Sequence, residues 1–175
     1  MKRRCNWLSK VAGPAVVLVI AAQTTIAAPE GPWEWPDQGV GFGASGTNAT
    51  VLALLAWSDG TNSALYVGGH FTHAGGQPVG GVARWNGFEW SSLGAGPGGI
   101  VQSMITFDDG SGEALFAAGD IGVKKWNGIE WASIEGGAYL SNPQYSLAAF
   151  DDGSGPALYS AGSGKMLYRW SGDEW

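Results

Sequence analysis

The chain has 175 residues, of which 30 are glycine and 10 are tryptophan, and only 14 % are charged. That length suits one domain, and the composition excludes disordered and collagen-like chains. Many glycines and aromatics with few charges predict short strands joined by tight turns, an all-β chain.

At the N-terminus, Lys2, Arg3, Arg4 and Lys10 precede an apolar run over 11–22, broken only by Gly13 and Pro14. Small residues follow at Thr25, Ala27 and Ala28. This order predicts a secretory signal peptide over residues 1–27, cleaved after Ala27. An uncleaved N-terminal anchor is the competing reading, although the run is short for a membrane span. Cleavage would remove four of the nine basic residues and none of the fifteen acidic ones, leaving 5 against 15 and a net charge of −10. So acidic a product disfavours nucleic acid and anionic membranes as partners. The only cysteine, Cys5, would leave as well, and with it any disulfide, cysteine ligand or cysteine nucleophile. The expected location is secreted, periplasmic or cell-surface.

Residues 28–50 form an N-terminal segment. Its stretch "PWEWPDQGVGFG" (32–43) is similar to "FEWSSLGAGPG" (88–98), so Trp33–Trp35 could be the outer strand of a further structural unit.

Three repeats follow, over 51–94, 95–137 and 138–175. Their cores are "VLALLAWSDGTNSALYVGG", "VQSMITFDDGSGEALFAAG" and "QYSLAAFDDGSGPALYSAG", each followed by two tryptophans: Trp85 and Trp90, Trp126 and Trp131, Trp170 and Trp175. The first repeat also carries an insert, "HFTHAGGQPVGG" (70–81). Asp-Gly turns, and Asn-Gly or Ser-Gly turns further on, divide each repeat into four short strands. The first strand is apolar on both alternating sets, which predicts a sheet covered on both faces.

The last two strands of each repeat carry the motif basic–Trp–turn–x–Glu–Trp. If Asn86-Gly87 forms a two-residue type I′ turn, Arg84 faces Glu89, Lys125 faces Glu130 and Arg169 faces Glu174. Trp85 then faces Phe88, and the two tryptophans lie one diagonal step apart. A four-residue loop is the alternative. It places Trp85 opposite Trp90 and loses all three charge pairings.

The strand ending in Gly-Gly (65–69) with a tryptophan further on (Trp85) resembles the repeats of kelch and galactose-oxidase-type β-propellers. "FDDGSGPALYSAG…RWSGDEW" is similar to repeats in large secreted bacterial proteins. The resemblance implies four-stranded antiparallel blades, about three in number and so an incomplete ring, since propellers have four to eight. The second and third repeats depart from the kelch pattern, with Ala-Gly in place of Gly-Gly. A galactose-oxidase-type copper site, as that resemblance implies, needs a cysteine that the processed chain lacks. The chain reads as a fragment of a longer ring. An open stack, or closure by self-association through unpaired blade edges, are the other possibilities.

Candidate sites are few. His70 and His73 could contribute to a metal site, but zinc takes three or four ligands and no third is suggested nearby. Asp108-Asp109 and Asp151-Asp152 offer oxygen ligands of the kind calcium prefers, yet lack the longer spacing of a calcium loop and suit ordinary turns. His70, Phe71 and His73 in the insert, with Trp33 and Trp35, are the candidate ligand contacts. The six repeat tryptophans (85, 90, 126, 131, 170, 175) are assigned to packing, and so is Trp57, in the slot of Phe107 and Phe150. No catalytic motif is present and no cofactor is expected. The resulting expectation is a secreted scaffold or binding module for a protein or glycan, with the insert as its variable contact. The alternative is a piece of a secreted polysaccharide-active enzyme whose catalytic residues lie elsewhere.

Overall fold

A computed structural model describes residues 46–58, 62–134, 142–164, 166–170, 172 and 174–175. The expected signal peptide, Trp33 and Trp35 lie outside these residues. The described chain is all-β, without a helix.

The first sheet contains β1 (Thr50–Ser58), β2 (Ser63–His70), β5 (Val82–Trp85) and β6 (Trp90–Ser92), in spatial order β1-β2-β5-β6. Between β2 and β5 the insert forms a two-stranded ribbon, β3 (His73–Ala74) and β4 (Gln77–Pro78). The second sheet runs β7 (Val101–Asp108), β8 (Glu113–Gly119), β9 (Gly122–Trp126) and β10 (Trp131–Ser133). The third has β11 (Gln144–Asp151), β12 (Pro156–Gly162) and β13 (Leu167–Trp170). All pairings are antiparallel and join consecutive strands, except that β2 pairs with β5 across the insert.

The repeats match in backbone detail. Each first strand carries one unpaired residue near its start: Leu52, Gln102 and Tyr145. Such bulges twist the strand locally. Opposite the bulge sits a glycine, and the bulged strand explains it. A Cβ on Gly119 would lie 1.7 Å from the Ile100 carbonyl oxygen, one on Gly162 2.0 Å from that of Pro143, and one on Gly69 2.2 Å from that of Thr50. The second glycine of the pair is therefore the one that close backbone approach demands. The first can be alanine, as at Ala118 and Ala161.

The sheets lie face against face, and each gap is filled by a cluster of apolar side chains. One face of each sheet holds an aromatic pair from its first two strands: Trp57–Tyr66, Phe107–Phe116 and Phe150–Tyr159, with ring centroids 5.4, 6.1 and 6.0 Å apart. The opposite face holds the tryptophan pair. Between sheets one and two, Tyr66, Val82 and Trp57 meet Leu115, Ala117, Trp126 and Trp131. Between sheets two and three, Phe107, Phe116 and Val123 meet Leu147, Leu158, Trp170 and Trp175. The same positions thus form the same contact twice. Leu115, Phe116 and Leu158 are fully buried there.

Burial on both faces holds only for the middle sheet. In the first, Leu54 is 64 % exposed, and in the third Phe150 is 61 % and Leu167 69 % exposed. The two-sided expectation is corrected for these sheets. Their apolar residues look outward because no described repeat sheet stacks on that side, whereas Phe107, equivalent to Phe150, is only 8 % exposed beneath the third sheet.

The insert is folded rather than free. Phe71, Ala74 and Val79 pack on Val67 and Ala83, beside Trp90, and cover part of the first sheet. Asn48 holds it from the other side: its Oδ1 accepts from the backbone N–H groups of Thr72 and His73, both at 3.0 Å.

Candidate functional site

The first two tryptophan hairpins do not take the two-residue turn; the third, with its Arg169–Glu174 pairing, includes residues outside those described. Trp85 lies directly opposite Trp90, and Arg84 opposite Ser91. In the second sheet Trp126 opposes Trp131, and Lys125 opposes Ala132. The pairings of Arg84 with Glu89 and Lys125 with Glu130 are therefore corrected in favour of the four-residue loop. The cause is the asparagine. Asn86 Oδ1 accepts from the N–H groups of Phe88 and Glu89, both at 2.9 Å, and the Asn86 N–H donates to the Glu89 carbonyl at 3.3 Å. Asn127 repeats this with Ile129 and Glu130. A side chain that offers the backbone local hydrogen bonds competes with the strand ladder, so the glutamate stays in the loop. Gly87 (φ 99°) and Gly128 (φ 97°) supply the left-handed backbone that the loop needs. In return the indoles pack against each other in tilted pairs. The three pairs have centroids 5.2, 5.6 and 5.5 Å apart at interplanar angles of 47–50°, an arrangement worth about 0.5–1.5 kcal/mol beyond burial.

Lys125 and Arg169 turn instead to the Asp-Gly turns. Lys125 Nζ lies 2.6 Å from Asp109 Oδ2 and donates to Ser111 Oγ. Arg169 Nε is 3.7 Å from Asp152 Oδ2, and its NH2 group donates to Ser154 Oγ at 2.8 Å. The other aspartate of each turn serves the backbone. Asp108 Oδ1 accepts from the N–H groups of Gly110 and Gly112, and Asp151 Oδ1 from those of Gly153 and Gly155. Burial pushes the Asp109 carboxyl up, but hydrogen bonds from Lys125 and Ser111 outweigh it and hold it below the usual carboxylate range. At Asp152 the Ser154 hydroxyl and N–H, then Tyr159 and Arg169, also pull the value down. As metal candidates these four aspartates thus spend oxygens on turn N–H groups and cations.

His70 is exposed at the end of β2. His73 is exposed in the ribbon, with its Nδ1 2.9 Å from Thr72 Oγ1. Among the described residues no three His, Cys, Asp or Glu side chains gather as a metal centre. Phe71, a candidate ligand contact, is only 3 % exposed and faces the insert's own core. Its place there is explained by the apolar surface it covers on the first sheet.

Two grooves open at equivalent places, one along each gap between sheets, at the Asp-Gly turn end. The first has a volume of about 480 Å³ and is lined by Trp57 and Tyr66 from sheet one and by Glu113, Trp126 and Asn127 from sheet two. The second, about 430 Å³, is lined by Phe107, Pro156 and Trp170 at the matching positions. They differ in polarity. In the first, Trp57 Nε1 donates to Glu113 Oε2 at 3.1 Å, across the gap. In the second, phenylalanine and proline stand where that donor and acceptor would be. Sequence reasoning placed Trp57 in the core and passed over Glu113. The signal was available in the paired change, Trp with Glu against Phe with Pro, but only stacking shows that these positions from adjacent repeats meet.

Comparison with protein-family models, with curated proteins and with solved structures found no match.

Proposed function

We propose that this chain is an exported β-propeller-type repeat module whose stacked sheets serve as a rigid scaffold for binding a protein or glycan. The observation that supports this best is the repeated inter-sheet contact: an aromatic pair on one sheet against a tryptophan pair on the next, twice over, with equivalent residues. Propellers likewise repeat four-stranded sheets side by side, and rigid sheets present their turns and grooves in fixed positions. The exposed apolar residues Leu54, Phe150 and Leu167 mark faces on which further sheets would stack, so self-association belongs to the same reading.

The test offers the purified full chain to arrays of glycans and of extracellular proteins, and follows the bound ligand for chemical change. Reversible capture with the ligand recovered intact is expected. Release of shortened or modified glycan would point to the enzyme reading instead. Failure to bind either class would remove the binding role.

A further inference from the structure

We infer that the groove between the first and second sheets is a binding site for an uncharged oligosaccharide. This rests on the binding-module reading and makes it specific. Half-buried indoles from both sheets flank the groove, Trp57 on one side and Trp126 on the other, with the buried Tyr66 packed against Trp57. Flat apolar rings suit the C–H faces of a pyranose, whose hydroxyls then point to the groove's polar edge. That edge carries Glu113, Ser111 and Asn127, with Lys125, whose charge is paired with Asp109. A carboxylate accepts hydrogen bonds only, and it has two oxygens. Glu113 Oε2 takes the Trp57 N–H, and Glu113 is exposed to solvent, so its other edge can receive vicinal hydroxyls. The volume, about 480 Å³, lies within the range of small-molecule sites, roughly 300–1,000 Å³.

The neighbouring groove is a built-in comparison. It has the same backbone and a similar volume, about 430 Å³. It lacks the Trp–Glu pair, because Phe107 and Pro156 occupy the places of Trp57 and Glu113, and its carboxylates, Asp108 and Asp109, are engaged by turn N–H groups and by Lys125. Packing alone is satisfied by phenylalanine at this slot, as at Phe107, which is buried beneath the third sheet. The first groove therefore carries polar groups beyond what stacking requires. The charge of the chain, −6 overall, disfavours uronate and sulfated chains by long-range repulsion, which selects the uncharged class.

The experiment titrates the full chain with neutral oligosaccharides of glucose, xylose, mannose, galactose and N-acetylglucosamine. Binding is followed by calorimetry and by the indole N–H resonance of Trp57, which Trp57→Phe identifies. Trp57→Phe installs the repeat's own residue, so it should fold, and circular dichroism checks that it does. The expected result is binding that shifts the Trp57 resonance, weakens roughly tenfold or more in Trp57→Phe, weakens in Glu113→Gln, and is unchanged in Pro156→Ala of the second groove. Binding that survives both Trp57→Phe and Glu113→Gln would overturn this site while leaving the binding-module reading intact. Silence across all neutral sugars from a folded protein, or preference for a uronate or sulfated chain, would overturn it too. Capture of a protein in the separate array would then still sustain the broader reading.

Discussion

The pairing of Lys125 with Asp109 can be weighed directly against the pairing that the sequence suggests, with Glu130. Two double-mutant cycles do this: Lys125→Met with Asp109→Asn, and Lys125→Met with Glu130→Gln. The Nζ–Oδ2 distance is 2.6 Å, and the two side chains are 22 % and 14 % exposed. A hydrogen bond to a charged group contributes about 1.5–3 kcal/mol when well shielded, and a fully exposed ion pair about 0.2–1 kcal/mol. This pair sits between those limits, so a coupling of about 1–2 kcal/mol is expected. Glu130 is held in the loop, its N–H on Asn127 Oδ1 at 2.8 Å. Its coupling to Lys125 should stay within about 0.5 kcal/mol of zero. Urea unfolding followed by circular dichroism resolves the difference. With a slope of about 1–3 kcal/mol/M, each kcal/mol moves the midpoint by roughly 0.3–1 M. A coupling to Glu130 larger than that to Asp109 would refute the hairpin register and the Asx loop that sets it.

Three further outcomes follow from the same geometry. Gly119→Ala places a Cβ 1.7 Å from the Ile100 carbonyl and should destabilise by more than about 3 kcal/mol; Gly110→Ala, where nothing lies within 4 Å and only φ 96° is unfavourable, should cost about 1–2 kcal/mol. Chemical denaturation of the two variants compares them. Leu158→Ala empties a fully buried position between sheets two and three and should cost about 2–5 kcal/mol, read as a lower urea midpoint with unchanged strand content. Asp109 and Asp152 titrate below their unfolded value of 3.8. Their contribution is therefore complete above that pH and is lost as pH falls through the lower folded values. The urea midpoint measured between about pH 2 and 6 should fall below about pH 4, and Asp109→Asn should flatten that fall.

The repeat itself was legible from the residues alone. Turn glycines and aspartates, apolar runs of strand length and paired tryptophans are local signals, and they fix an all-β chain with one antiparallel sheet per repeat. The alignment of Gly69, Gly119 and Gly162 was visible too, although its cause, a carbonyl across the bulge, was not. The hairpin register was misjudged because Asn-Gly is compatible with two loops. The choice between them rests on the Asn86 and Asn127 side chains and on the gain from paired, tilted indoles, which only the assembled hairpin reveals.

What the sequence determined, then, is whatever depends on neighbours in the chain: strand periods, turn chemistry, charge and the places where tryptophan must recur. Tertiary structure decided what depends on residues far apart. It sent Lys125 to a turn 16 residues away, brought Trp57 to Glu113 over a separation of 56, and exposed Phe150 while burying its equivalent Phe107. The physical reason is that a strand's composition states only that a face is apolar. Whether another sheet covers that face, and which side chains meet in the gap, is settled by stacking.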